Sequence, residues 1–202
     1  FTVDAGEARP LVLLSAGVGI TPMMAMLRHV VFEGLRTRQL RPTWFIHGAR
    51  TKADQAFRKE LAELSRLAQG AIQVVRALSQ PEADAVQGVD YELQGRIDTE
   101  LLKTILPLDD YDFYLCGPAS FTQALYDGLR RLRILDDRIH AEAFGPSTLV
   151  RQGAPELAAA PPELAERMYG EFVAAARTRT VSKVAAASAL RMACAQPAWP
   201  SA

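Results

Sequence analysis

The sequence predicts an α/β protein: a Rossmann-like, parallel five-stranded sheet with helices on both faces, followed by an Ala-rich tail, helical or disordered. Three observations predict it. Short apolar runs of strand length alternate with helix-patterned segments of roughly 10–15 residues. The first run, Leu11-Val12-Leu13-Leu14, is apolar at every position, as a strand buried on both faces must be. Turn residues follow the strands at one end, so the unusual residues collect on the edge where such sheets bind ligands.

Residues 1–10 read as a lead-in. Strand one covers 11–14, and a glycine turn carries it to Pro22. Pro22 suits a first helical position and Thr21 an N-cap, so helix one spans about 22–34 with Met23, Met24, Met26, Leu27, Val30 and Val31 as its apolar side. Thr43-Trp44-Phe45-Ile46-His47 forms strand two. Helix two spans about 53–67, with Phe57, Leu61, Leu64 and Leu67 at helical spacing and Gly70 as its stop. Strand three covers 72–78. After a polar loop over 82–94, Asp98 caps a short helix over 99–105. Strand four spans 111–116, Gly117-Pro118 turns it into a helix over about 120–132, and strand five spans 138–144. Residues 1–150 thus form one domain. Residues 151–202 turn Ala-rich, lose the strand pattern and read as linker and tail.

Composition excludes several classes. Lys plus Arg equals Asp plus Glu at 23 each, so no global field favours nucleic acid or an acidic membrane surface. Two cysteines, Cys116 and Cys194, make neither a disulfide framework nor a thiolate cluster and fit a reducing, cytoplasmic setting. No apolar run approaches the roughly 20 residues that span a bilayer. The segment FTVDAGEARP has no initiator Met and no leader pattern, and reads as the continuation of something upstream.

The chemistry concentrates in LVLLSAGVGITPMMAM, residues 11–26. Glycines at 17 and 19 let a phosphate approach the backbone, and the helix that follows presents N–H groups and a positive dipole end. That makes a pyrophosphate site. A tight strand-to-helix turn in any α/β protein gives the same local pattern, and Pro22 stands where the usual dinucleotide fingerprint has a third glycine. Other residues have plainer readings. On local grounds Cys116 is a small buried residue at a strand end. His47 is a packed core histidine, His29 a helix-surface residue and the Met cluster core filling. Arg130, Arg131 and Arg133 are a solvated helix face. His140 and Glu142 share a strand face without a third ligand, so no metal site is expected.

Four stretches, SAGVGITPMMAML, FIHGAR, DFYLCGPASFTQAL and IHAEAFGPS, come in an order and spacing that resemble the pyridine-nucleotide domain of the ferredoxin–NADP reductase superfamily. The likeness is strongest to the reductase part of flavohemoglobins and related flavin reductases with appended ferredoxins. It covers about residues 3–150. It implies that Gly17, Val18, Gly19, Ile20, Thr21 and Pro22 form the nucleotide-binding loop. It places Cys116, Gly117 and Pro118 beside the nicotinamide, Glu142 and Phe144 near the flavin ring, and Arg50 and Ser79 at the adenosine half. Cys116, Glu142 and Phe144 thereby line the hydride-transfer centre, where the protein orients rather than supplies an acid or base. The implied cofactors are NADH or NADPH here and FAD on a missing domain. With no base in Ser79-Gln80-Pro81, only Arg50 and Arg76 remain for a 2′-phosphate, a pattern that leans to NADH or dual use.

The resemblance also implies partners: a flavin-binding domain upstream or on another chain, and an electron acceptor such as a heme or 2Fe–2S domain. No Arg-x-Tyr-Ser flavin motif occurs in the chain, and the tail lacks the cysteines of a plant-type ferredoxin. The shift in composition near residue 160 resembles a reading-frame change, with a natural Ala-rich tail as the alternative. The expected function is hydride transfer from NAD(P)H to FAD and onward to heme, an iron–sulfur centre or oxygen. The alternative is a stand-alone nucleotide-binding subunit, or an inactive fragment.

Overall fold

A computed structural model describes residues 2–144 and 149–151, with residues 143 and 144 described by backbone alone. The tail, Gly145-Pro146-Ser147, Cys194 and the Phe144 side chain lie outside the described residues. The elements are β1 (Leu11–Ala16), α1 (Ile20–Thr37), β2 (Thr43–Ala49), α2 (Arg58–Leu67), β3 (Ile72–Leu78), β4 (Leu93–Gln94), α3 (Thr99–Ile105), β5 (Asp112–Pro118), α4 (Ala119–Arg131) and β6 (Ile139–Phe144). The strands run parallel in the order β4-β3-β2-β1-β5-β6. The expected five strands are thus joined by a sixth. Two-residue β4 pairs Leu93 and Gln94 with Ala77 and Leu78 at the edge, too short to leave a pattern in the sequence.

Two cores cover the sheet. On one face Leu11, Leu13, Phe45, Tyr114 and Cys116 pack against Met23, Met24, Leu27, Val30 and Val31 of α1 and Leu61 and Leu64 of α2. On the other, Val12, Leu14, Ile46, Phe113 and Leu115 pack against Leu102 of α3 and Leu125, Tyr126 and Leu129 of α4. β1 is buried at five consecutive positions because both of its faces are covered. Asp98 caps α3, with its Oδ1 accepting from Leu101 N at 2.8 Å.

Three local expectations are corrected. α1 starts two residues before Pro22, with Gly19 rather than Thr21 as N-cap, because residues 17–19 form a tight helical turn that leads straight into α1. Pro22 falls at the third helical position, where its missing N–H is equally harmless. α2 starts at Arg58 rather than near 53. Phe57 takes a left-handed conformation (φ 58°), and Asp54 Oδ2 holds Thr51 N and Oγ1 in a preceding turn. Arg130 is not on a solvated face: it is 7% exposed and donates to Ile134 O at 2.7 Å, beyond the end of α4.

The lead-in is fastened to the sheet's amino edge. Buried Arg41 donates to Asp4 O at 2.7 Å, to Arg9 O at 2.6 Å and to Asp112 Oδ2, while Tyr114 Oη donates to Thr2 O at 2.9 Å. Residues 149–151 lie along α4. There the Gln123 amide bonds both N and O of Val150, and Arg151 reaches Asp136.

Candidate functional site

The direction in which successive strands are added reverses between β1 and β5, although all the strands run parallel. Strands 1 to 3 wind outward on one side with α1 and α2 on one face, and β5 and β6 lie on the other side with α3 and α4 on the opposite face. A crevice beyond the carboxyl ends at such a point is where open α/β sheets bind ligands. Two helices begin there. α1 follows β1 and α4 follows β5, and neither has a side-chain cap or an acid in its first turn. Asp98 caps α3, and Glu60 lies in the first turn of α2. The two uncompensated positive helix ends therefore flank the reversal point, which is chemistry for an anion.

The glycine loop divides its labour. Gly17 is exposed at φ 55°, with nothing within 4 Å of where a Cβ would stand, so its backbone can be approached from outside. Val18 is 61% exposed, Thr21 is exposed and Pro22 half-buried. Gly19 and Ile20 are buried. A Cβ on Gly19 would stand 2.0 Å from the Cys116 carbonyl oxygen, so this glycine lets the loop lie against β5 rather than against a ligand. Gly117 plays the same part from the other side, its missing Cβ leaving room for Phe121 and Ala16. Pro118 is exposed at the start of α4, with its carbonyl accepting from Thr122 Oγ1 at 2.9 Å.

Cys116 faces the α1 side and has no exposed surface. Burial, with the Glu142 charge beside it, pushes its thiol up to about 11, so the group stays protonated at neutral pH. Glu142 pairs with Cys116 in register and is exposed. Behind them, Ser15 Oγ and His47 Nδ1 lie 2.9 Å apart, both residues buried, and His47 Nε2 has no partner. Burial holds His47 down at about 4, which keeps it neutral and confirms the core-histidine reading. His140 stacks on Tyr114 with ring centroids 4.4 Å apart. Among the described residues no three His, Cys, Asp or Glu side chains gather as a metal site.

At the tips of β2 and β3 the ladder continues past the strands: Ser79 N donates to Ala49 O at 3.1 Å and Gln80 N to Arg50 O at 2.8 Å. Arg50 and Ser79 are thereby neighbours. Arg76 is not available as a second base: its Nε donates to Glu92 Oε2 at 3.1 Å and its Nη2 to Val89 O at 3.0 Å. Sequence reasoning missed Glu82, which reaches back to the Lys52 and Ala53 backbone N–H groups. Its only signal was an acid just after Pro81, in a loop that reads simply as polar.

Residues 13–127, more than half of the chain, match the family described as the oxidoreductase NAD-binding domain. The chain is 39% identical over 146 residues to a flavohemoprotein of Rhizobium meliloti, covering 72% of this chain and 35% of that protein. It is also similar to the solved flavohem-like FAD/NAD-binding domain of nitric oxide dioxygenase from Vibrio cholerae (35% identity, TM-score 0.57, covering 72% of this chain and 54% of that one). Flavohemoglobin from Malassezia yamatoensis, solved with bound FAD and heme, matches at 30% identity and a TM-score of 0.54, covering 70% and 33%. The chain thus spans about a third of the length of the flavohemoproteins it matches. No helix among the described residues is long and apolar enough to cross a membrane. With its reversal point, its paired helix starts and the match over residues 13–127, the chain belongs to the oxidoreductase NAD-binding domain family, in the ferredoxin–NADP reductase superfamily.

Proposed function

We propose that this chain is the nicotinamide-dinucleotide-binding part of a flavin-dependent reductase, working with an FAD-bearing domain and an acceptor such as a heme or iron–sulfur domain, in the cytoplasm. The observation that carries the reading is the pair of uncapped, acid-free helix starts at the β1–β5 reversal. The residues fit a dinucleotide. Gly17 leaves open space over its backbone, so Gly17, Val18, Thr21 and Pro22 would hold the pyrophosphate against the start of α1. Gly117 and Pro118 at the start of α4 would border the nicotinamide half, and Arg50 and Ser79 the adenosine half. The reduced nicotinamide supplies a hydride. The chain's own part is orientation. Gly19 and Gly117 let the β1 and β5 turns close on one another, and Cys116 and Ile20 seal the floor beneath them against water. Glu142 stands at the exposed end of the same row and would face the flavin side. The length of the matched relatives supports the further domains.

The test adds a charge without disturbing the core. Thr21 is exposed in the first turn of α1, so Thr21→Glu complements the helix dipole and leaves melting unchanged or slightly raised. The same carboxylate repels a pyrophosphate. Calorimetric titration with NADH is expected to show binding to the wild-type chain and at least about tenfold weaker binding to Thr21→Glu. Equal affinity in the two proteins would overturn the placement.

A further inference from the structure

In dinucleotide folds an acid near the end of the second strand accepts from the ribose 2′-hydroxyl, whereas an arginine there accommodates a 2′-phosphate. At that place this chain has Arg50, so the linear sequence leaves room for the phosphorylated nucleotide. Three-dimensional structure adds what the order of residues hides. The turn after β3 folds back, and Glu82 Oε2 accepts from Lys52 N at 2.7 Å while Oε1 accepts from Ala53 N at 3.3 Å. An acid thereby arrives at the tip of β2 from the neighbouring strand. We infer that Glu82 selects the nucleotide that carries a free 2′-hydroxyl, making the site one for NADH. This rests on the proposed binding of the adenosine half at Arg50 and Ser79.

The surroundings support it. Three of the cations around this corner are already answered by acids. Lys52 Nζ donates to Asp84 Oδ2 at 2.8 Å, Arg58 Nη2 to Asp90 Oδ1 at 2.8 Å, and Arg76 pairs with Glu92. Arg50 is loosely held, its side chain 76% exposed and its Nε 3.7 Å from Asp54. A dianionic 2′-phosphate beside the exposed Arg50 guanidinium would meet the fixed Glu82 carboxylate, and could recruit Lys52 only by breaking its pair with Asp84. A 2′-hydroxyl makes no such demand. The Glu82 carboxylate accepts from the backbone N–H groups of Lys52, Ala53 and Glu82 itself, and of its roughly four acceptor positions it keeps one for the hydroxyl proton. Those backbone bonds also hold the Glu82 carboxyl below its ordinary range, so it is charged at neutral pH.

The test is calorimetric titration of the full chain with NADH and with NADPH, for the wild type, Glu82→Gln and Asp109→Asn. Asp109 is exposed at the opposite edge of the sheet, so its variant removes the same charge without touching this corner. The wild type is expected to bind NADH about tenfold or more tighter than NADPH. Glu82→Gln is expected to shrink that ratio about tenfold, chiefly by improving NADPH, and Asp109→Asn to leave it unchanged. A wild-type preference for NADPH, or a ratio unmoved by Glu82→Gln, would overturn the inference and leave the nucleotide site standing. No binding of either nucleotide by a chain that melts cooperatively would overturn both. A measurement without any variant guards against misfolding of Glu82→Gln: adenosine 2′,5′-bisphosphate should compete for the wild-type site at least about tenfold less well than 5′-AMP, and equal competition would overturn the inference.

Discussion

Replacing Gly19 by Ala puts one methyl group where the structure has no room for it. Its Cβ would stand 2.0 Å from the Cys116 carbonyl oxygen, 2.4 Å from its carbonyl carbon and 2.8 Å from Gly117 N, where ordinary contact begins at 3.4 Å. All three are backbone atoms of β5, which is bonded to β1 on one side and β6 on the other. No side chain can swing away, so the β1–α1 turn and β5 must part by more than an ångström. Overpacking of a well-packed core costs about 1–3 kcal/mol, and a backbone collision in a central strand belongs at or above the top of that range. At roughly 2–4 °C per kcal/mol for a domain of this size, melting should fall by about 6–12 °C. Gly17→Ala is the matched control. It meets nothing within 4 Å and carries only the strain of φ 55°, about 1 kcal/mol. Thermal and urea denaturation of the two variants settle the difference. A Gly19→Ala protein within about 1 kcal/mol of wild type, or a Gly17→Ala protein equally damaged, would refute the division of labour between the glycines. It follows that a bulky side chain at position 19 displaces β5 before it meets any ligand.

His47 is buried and neutral, with its pKa depressed to about 4 from 6.5, so below pH 6.5 the unfolded chain binds a proton that the folded one does not. Its contribution is fully present above pH 6.5 and lost as pH falls toward 4, on the order of 3 kcal/mol in all. Urea midpoints from pH 7 to 5 should fall in the wild type and fall less in His47→Gln; parallel profiles would refute this. Burial shifts His140 in the same direction, so some slope remains in the variant. Arg41→Met leaves Asp112 and the carbonyls of Asp4 and Arg9 without their buried donor, and should cost about 3 kcal/mol in urea denaturation and expose residues 2–10 to proteolysis. A chain as stable and protease-resistant as wild type would show that the lead-in holds by other means.

Much of the architecture was legible because its signals are local. An unbroken apolar run such as Leu11–Leu14 can only be a strand covered on both sides, and Asp98 ahead of Thr99 marks a helix start by its own hydrogen bond. What escaped depends on pairs distant in sequence. Thr21 has the chemistry of an N-cap, yet the turn of residues 17–19 starts the helix earlier because Gly19 can lie against Cys116. β4 exists only through its pairing with Ala77 and Leu78. Arg130 looks like one of three surface bases until the chain beyond α4 brings Ile134 O to it. Gly17 to Pro22 could be read as a loop, but which members face outward and which support the floor is decided by β5, almost a hundred residues away. Glu82 acquires its place only when two crossover loops fold together.

The fastening at the amino edge has a consequence for the path of the lead-in. Arg9, at the way in, and Arg138, at the foot of the last strand, both pair with Asp112, and Arg151 reaches back to Ile139 O at 3.4 Å. The way in and the foot of the last strand are therefore clamped to one carboxylate at the amino rim, away from the strand tips. The lead-in thus acts as a tether that keeps to one rim, so that it does not cross the opposite rim where the two helix starts meet.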